Sequence, residues 1–270
     1  MKPIRLAIAG LGAIGLKVAR QIDAGVVPGV QLTAVAARDS AKAQSHVSGF
    51  RSKPEILPIA ALADVADVVI ECLPAAHFLE VAEPPLRKGR IFMPLSVGAL
   101  LRNMHLIDLA RENGGKIVVP SGAIAGLDGV RAIAEGDVTS IRLITRKPPA
   151  GVVGAPYLDE HRISLDDLTE PLMVFAGSAR EAAKGFPANL NVSVALSLAG
   201  IGPDRTIVEL WADPTVTRNT HSIVVESASS NMSLTIENIP DPENPRTGMV
   251  TGLSVIAALR RLTSPLVIGT

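Results

Sequence analysis

Two sets of residues in this chain are of types that do chemistry, a glycine triplet near the start and five histidines scattered along it. Gly10, Gly12 and Gly15 lie in Gly10-Leu11-Gly12-Ala13-Ile14-Gly15, with the spacing G-x-G-x-x-G. The first glycine permits a tight turn and the second lets backbone approach a pyrophosphate. The third lets a helix sit close to a strand, while the helix N-terminus adds amide donors and a positive dipole end. Glycines also punctuate ordinary turns, so the spacing alone is a weak signal. Here it follows the β-rich run Ile4–Ala9 and opens a helical stretch at 14–24, which points to nucleotide binding through Gly10, Gly12, Ala13, Ile14 and Gly15.

An acidic residue about 20 positions on would bond a ribose 2′-hydroxyl and repel a 2′-phosphate. Ala37 stands in that place, and Arg38-Asp39-Ser40 follow it. A guanidinium beside a serine could hold a 2′-phosphate. Alternatively, Arg38 stacks on the adenine and Asp39 takes the ribose. The expectation is a cofactor that is NAD or NADP, with Arg38 at its ribose end.

An imidazole moves protons near neutral pH because its unperturbed pKa is about 6.5. The histidines are His46, His77, His105, His161 and His221. His105 falls in a helical stretch, His46 in a polar connection and His161 in a charged segment. His77 follows an apolar run ending at Leu73, near where a nucleotide would lie. His221 stands between a turn-rich loop and a β-branched run. The residues leave His77 and His221 as rivals. Cys72 closes a buried-looking strand and reads as a packed thiol. No His, Asp, Glu or Cys pattern has metal-ligand spacing, so no metal is expected.

These groups need elements to position them. Apolar runs at 32–37, 67–73, 90–97 and 116–119 alternate with helical stretches, of which 100–112 ends at Gly114-Gly115. Strands that are near-continuously apolar and alternate with helices indicate a doubly wound parallel sheet. After about residue 126 the rhythm changes. Segments 140–147, 206–212, 222–227 and 232–238 alternate or carry β-branched residues, with helices at 178–184 and 192–198. The fold class expected is α/β, an N-terminal Rossmann-type doubly wound parallel sheet plus a second α+β domain with a mostly antiparallel sheet. The domains are 1–122 for the dinucleotide and 123–244 for substrate and dimerisation. A C-terminal helix within 245–270 is expected to pack back onto the first.

Composition narrows the classes. The 270 residues carry 26 basic and 26 acidic side chains, a formal net charge of zero, so no basic surplus exists to neutralise a nucleic acid. Aromatics are 3% against 47% hydrophobic residues, so the core must be aliphatic. One cysteine excludes an internal disulfide framework. No apolar stretch of about 18 residues could span a bilayer and no signal peptide is visible, so no membrane association is expected and the chain reads as cytoplasmic.

Several further segments carry a family resemblance. They are Ser96-Val97-Gly98-Ala99-Leu100, Ser121-Gly122-Ala123-Ile124-Ala125-Gly126-Leu127-Asp128-Gly129 and Thr145-Arg146-Lys147-Pro148-Pro149. Phe186-Pro187-Ala188-Asn189-Leu190-Asn191-Val192, Asp213-Pro214-Thr215-Val216-Thr217-Arg218-Asn219-Thr220-His221 and Asn244-Pro245-Arg246-Thr247-Gly248 follow in order. With the glycine turn they resemble the L-aspartate dehydrogenase family from the first strand to the last helix. The resemblance implies oxidative deamination of L-aspartate with NAD or NADP, through iminoaspartate to oxaloacetate and ammonia. The imine is also a precursor for making NAD. It further implies cofactor contacts at the Ala123 backbone and the Asn189 side chain, and catalysis by His221. After Glu71 the family often continues with small residues and a serine, whereas this chain has Cys72-Leu73-Pro74-Ala75-Ala76-His77.

A dicarboxylate needs cationic or amide donors. Lys147 or Arg146, at a strand end, and Asn219, Thr220 or Arg218 beside the histidine are the candidates, each also readable as a solvated strand end. Two other readings stay open. One is a reductase of dihydrodipicolinate-reductase-like plan, which would want a cationic cluster that the chain does not display. The other is a non-catalytic nucleotide-sensing protein, which His221 together with Asn189 disfavours. A homodimer is expected, since an exposed antiparallel sheet face commonly pairs.

Overall fold

The structure, a computed structural model, describes residues 2–187 and 191–269, with the backbone alone for 244–246. The chain divides into two compact units, 1–120 with 251–267 and 121–250 with 268–270.

The first unit is built on six strands: β1 (Ile4–Ala9), β2 (Val30–Ala36), β3 (Glu55–Ile56), β4 (Val68–Glu71), β5 (Ile91–Pro94) and β6 (Lys116–Ile117). All pair in parallel in the order β3-β2-β1-β4-β5-β6, so the winding reverses between β1 and β4. Leu6, Ile8, Leu32, Val35, Val68 and Ile70 are buried because helices cover both faces of such a sheet. The helix Ala13–Asp23 contributes Val18, Ala19 and Ile22 to that core, and the helix Val250–Thr263 contributes Val255, Ile256 and Leu259. Ligands of such sheets bind beyond the carboxyl ends of the strands at the reversal point, where the glycine turn leaves β1.

The single helix expected over 100–112 is two, Val97–Leu101 and His105–Asn113. The first begins directly after the β5 turn and buries all five of its residues. The second ends on Gly114 in the left-handed conformation, φ 70°.

The second unit holds β7 (Val138–Lys147), β8 (Leu172–Ser178), β9 (Thr206–Ala212), β10 (Asn219–Ser227) and β11 (Asn231–Asn238), in the order β11-β10-β7-β9-β8. The β7–β9 pair is parallel and the other three antiparallel. Ile141 and Leu143, Val208 and Leu210, Ile223 and Val225 alternate onto one face, where Val130, Phe186, Val192 and Leu196 from surrounding segments pack against them. Segment 245–248 joins this unit because Asn244–Gly248 (β13) pairs with Pro240–Asp241 (β12), and the helix starts only afterwards.

Candidate active site

The three glycines of the turn are needed for three different reasons. Gly10 has φ +102°, and a Cβ there would lie 2.6 Å from the Cys72 carbonyl oxygen, so the turn can pass over β4 only without a side chain. A Cβ on Gly15 would fall 2.0 Å from the Gly10 carbonyl oxygen. A Cβ on Gly12 would meet no protein atom within 4 Å. Gly12 therefore faces open space, where a side chain would obstruct a ligand and not the fold. Ala13, Ile14 and Gly15 form the first helical turn, whose amides have no carbonyl one turn back, and Leu16 is the first amide to bond within the helix, to Gly12 O at 2.9 Å. Amide donors and open space together suit a pyrophosphate.

Glu71, at the end of β4, is fully buried. It accepts bonds from Leu73 N (2.9 Å), Ser96 N (2.9 Å) and Ser96 Oγ (3.1 Å), and so pins the loops after β4 and β5 to each other. Burial raises its carboxyl above the usual range, against the pull of those donors. Cys72 is a half-buried thiol that burial, then the Glu71 charge, pushes upward, which makes it an inert packing group. At the ribose end, Ala37 follows β2 and Arg38 is exposed. Asp39 caps the helix Ser40–Val47 by accepting from Lys42 N at 2.9 Å. His77 is exposed in a surface pair with Glu80, at 3.2 Å.

In the second unit the covered face of the sheet stays apolar for most of its length and turns polar at one end. His221 lies directly opposite Thr145 in the β10–β7 register, and Lys147 ends β7 on the same face. All three are buried, at 3%, 0% and 4% exposure. His221 Nδ1 and Thr145 Oγ1 are 3.0 Å apart. Gly151 lies over this end, where a Cβ would be 3.6 Å from the Lys147 side chain and 3.8 Å from Asn219 Oδ1. Burial lowers the Lys147 ammonium to about 8, so it keeps its charge at neutral pH. Burial, and then the Lys147 charge, push His221 from 6.5 down to about 3. The imidazole is therefore neutral in the ligand-free protein, a departure from the unperturbed value that its sequence position suggested.

The structure thus gathers His221, Lys147 and Asn219, and adds Thr145, which sequence reasoning missed. It separates Thr220 and Arg146, which pair with each other across β10 and β7 on the opposite face. Arg146 is 3.0 Å from Asp213 Oδ2 and 4.7 Å from the Trp211 ring centroid, engaged away from the histidine. Arg218 is exposed. Ala123 sits in the loop before the helix Leu127–Ala134, and its carbonyl accepts from Asn238 Nδ2 at 2.9 Å. Asn238 is buried, and Gly248 is glycine because a Cβ there would lie 2.8 Å from Asn238 Oδ1. Asn189 lies outside the described residues. Among the described residues no group of three or more His, Cys, Asp or Glu could hold a metal ion, and no helix is long and apolar enough to cross a membrane.

The parallel sheet and glycine turn define a dinucleotide-binding fold, and residues 10–120 match the family described as homoserine dehydrogenase, NAD binding domain, which makes the chain an oxidoreductase that uses a nicotinamide dinucleotide. Residues 128–262 match the aspartate dehydrogenase C-terminal family. The chain is 54% identical to the L-aspartate dehydrogenase of Bradyrhizobium diazoefficiens, over 99% of this chain and 94% of that one. It is 49% identical to L-aspartate dehydrogenase 3 of Bordetella bronchiseptica, over 98% and 97%. The crystal structure of aspartate dehydrogenase from Thermotoga maritima superposes with a TM-score of 0.75 at 25% identity, covering 98% of this chain and 99% of that one. The chain belongs to the L-aspartate dehydrogenase family.

Proposed function

We propose that the protein oxidatively deaminates L-aspartate through iminoaspartate to oxaloacetate and ammonia, with His221 as its acid–base group. The observation that carries this reading is the buried His221 imidazole, held at Nδ1 by Thr145 and sharing its face with the buried Lys147 at one end of a sheet, in a chain of this family. The turn Gly10–Gly15, with the Ala13 and Ile14 amides, would hold the cofactor pyrophosphate, and Arg38 the ribose end. The Ala123 backbone and Asn189 complete its binding. When bound, the nicotinamide supplies the hydride acceptor.

Aspartate arrives with an ammonium that must lose a proton before its α-carbon can give up hydride. The Lys147 ammonium and the Asn219 amide are the donors for a substrate carboxylate. Burial depresses His221 most and the Lys147 charge adds to it; a bound carboxylate offsets that second cause and so raises the imidazole's basicity when substrate is present. His221 then takes the ammonium proton and releases it to solvent; neutral again, it takes one from the water that adds to the imine and returns that one to nitrogen as the carbinolamine collapses. Thr220 faces the other side of the sheet and has no part in this reading.

NADP is used at least comparably to NAD, since no acidic residue stands at Ala37 and the exposed Arg38 follows. Released iminoaspartate would feed pyridine-nucleotide synthesis, and an intracellular cofactor pool supports a cytoplasmic location. The sheet face away from the helices exposes Met173 and Ile207 beside Trp211, which supports pairing of two copies there. A monomer in sedimentation equilibrium would remove that assignment.

Steady-state rates with L-aspartate and L-glutamate, each with NAD and NADP, test the substrate. Glutamate is expected to turn over about a hundredfold more slowly, because its extra methylene misplaces the α-carbon by about an ångström once both carboxylates are held. Equal rates would remove the aspartate assignment and leave the dehydrogenase. Negligible rates with NADP would remove the reading of Arg38.

A further inference from the structure

We infer that Thr145 is the positioning residue for His221: its hydroxyl holds the imidazole by Nδ1 and turns Nε2 toward the substrate as the nitrogen that moves protons. This rests on His221 being the acid–base group, as proposed above.

Three observations carry it. Thr145 and His221 are a directly opposed pair in the β7–β10 register, so their Cα positions are fixed by the ladder bonds of two central strands. Both side chains are buried, and the 3.0 Å contact runs between them with no water-exposed alternative for the hydroxyl. Among the described residues, Nδ1 is the ring nitrogen with a hydrogen-bond partner, so Nε2 is left for a ligand.

A threonine serves this role differently from a carboxylate. A carboxylate can only accept, so it fixes the Nδ1–H tautomer and strengthens the base. A hydroxyl both donates and accepts. When Nε2 carries the proton, the Thr145 O–H donates to Nδ1. When Nε2 offers its lone pair, Nδ1–H donates to the Thr145 oxygen. The hydroxyl thus keeps a hydrogen bond to Nδ1 in either neutral form, and in the imidazolium, whose Nδ1–H donates to the Thr145 oxygen, with the ring plane unmoved. In the Nδ1–H form the ring takes and releases protons at Nε2 while its Nδ1–H stays on the Thr145 oxygen, so the imidazole holds its place through each transfer. The methyl group of Thr145 keeps χ1 stiff, so the hydroxyl does not swing away from the ring.

The test compares Thr145→Val, Thr145→Ser and His221→Ala in the full chain. Valine keeps the shape and β-branching and removes the hydroxyl. Thr145→Val is expected to lower kcat for aspartate about 10- to 100-fold, the scale on which small misplacements of a reacting group act. Its equilibrium dissociation constant for the nucleotide, read by fluorescence titration without substrate, stays within about twofold, because the glycine turn is untouched. Thr145→Ser restores most of the turnover. Nitrogen-15 spectra of the histidine side chains in the ligand-free protein give a second readout, with His221 assigned by the signals missing in His221→Ala. The His221 Nδ1 and Nε2 signals are expected to move in Thr145→Val and to stay in Thr145→Ser. Unchanged kcat and unchanged signals in Thr145→Val, with turnover lost in His221→Ala, would overturn the positioning role and keep His221 as the base. Normal turnover in His221→Ala would instead overturn the reading on which the inference rests.

Discussion

The His221→Ala protein is expected to turn over aspartate about 10² to 10⁴ times more slowly, the usual contribution of a positioned acid–base group. Its affinity for the nucleotide should stay near that of the parent, since the turn Gly10–Gly15 is in the other unit. The same substitution should leave a second mark, on stability. An imidazole in the unfolded chain takes a proton near 6.5, while His221 in the folded protein does so only near 3. Above 6.5 neither state binds that proton and the group has no effect on stability. Below 6.5 the unfolded chain gains a proton that the folded chain refuses, so stability is lost as pH falls toward 3, by about 2 kcal/mol at pH 5. The alanine variant has no such penalty. Between pH 7 and pH 5 the stability gap between parent and variant in urea should therefore narrow by about 2 kcal/mol. Near-normal turnover in a folded variant would remove the proposed role, and a gap that does not change with pH would show that His221 is not held neutral.

Substitutions at Gly12 and Gly15 should separate binding from folding. Alanine at Gly12 meets no protein atom within 4 Å, and the backbone there is extended at φ −75°, which any residue adopts. The melting temperature should change little, while nucleotide affinity falls on the order of a hundredfold or more, because the methyl group stands where the pyrophosphate must approach the backbone. Alanine at Gly15 places a methyl 2.0 Å from the Gly10 carbonyl oxygen, so the helix must move off the strand. Overpacking of this kind costs about 1–3 kcal/mol or more, and here it should lower the melting temperature as well as affinity. Differential scanning calorimetry and fluorescence titration on both variants read the two quantities. Unaltered affinity in Gly12→Ala would place the nucleotide elsewhere.

The first unit was readable in the sequence because parallel strands covered on both faces are short aliphatic blocks, and Ile4–Ala9 followed by the glycine spacing is the plainest of them. The helix Phe78–Arg87 has no clear sequence signature, because Pro84 and Pro85 stand in its last turns, where prolines ordinarily mark an end. In the second unit, alternation located β7, β9, β10 and β11 and left out β8, whose register shift between Met173 and Phe175 breaks the period of two. The glycines and His221 could be named from sequence; what surrounds them could not. Thr145 and His221 are 76 residues apart, brought together by strand register that no local pattern encodes. Thr220 adjoins His221 in sequence, and the same pleat sends it to the opposite face. The low basicity of His221 likewise needs the burial and the Lys147 charge that only the fold supplies.

The reaction itself is read most directly with L-aspartate carrying deuterium at the α-carbon. Incubated with the protein and NAD or NADP, it should yield reduced nicotinamide that carries the deuterium, with oxaloacetate and ammonia formed in equal amounts. The absence of reduced nicotinamide, or reduced nicotinamide without deuterium, would contradict the assignment of this chain as an enzyme that oxidises the α-carbon of aspartate.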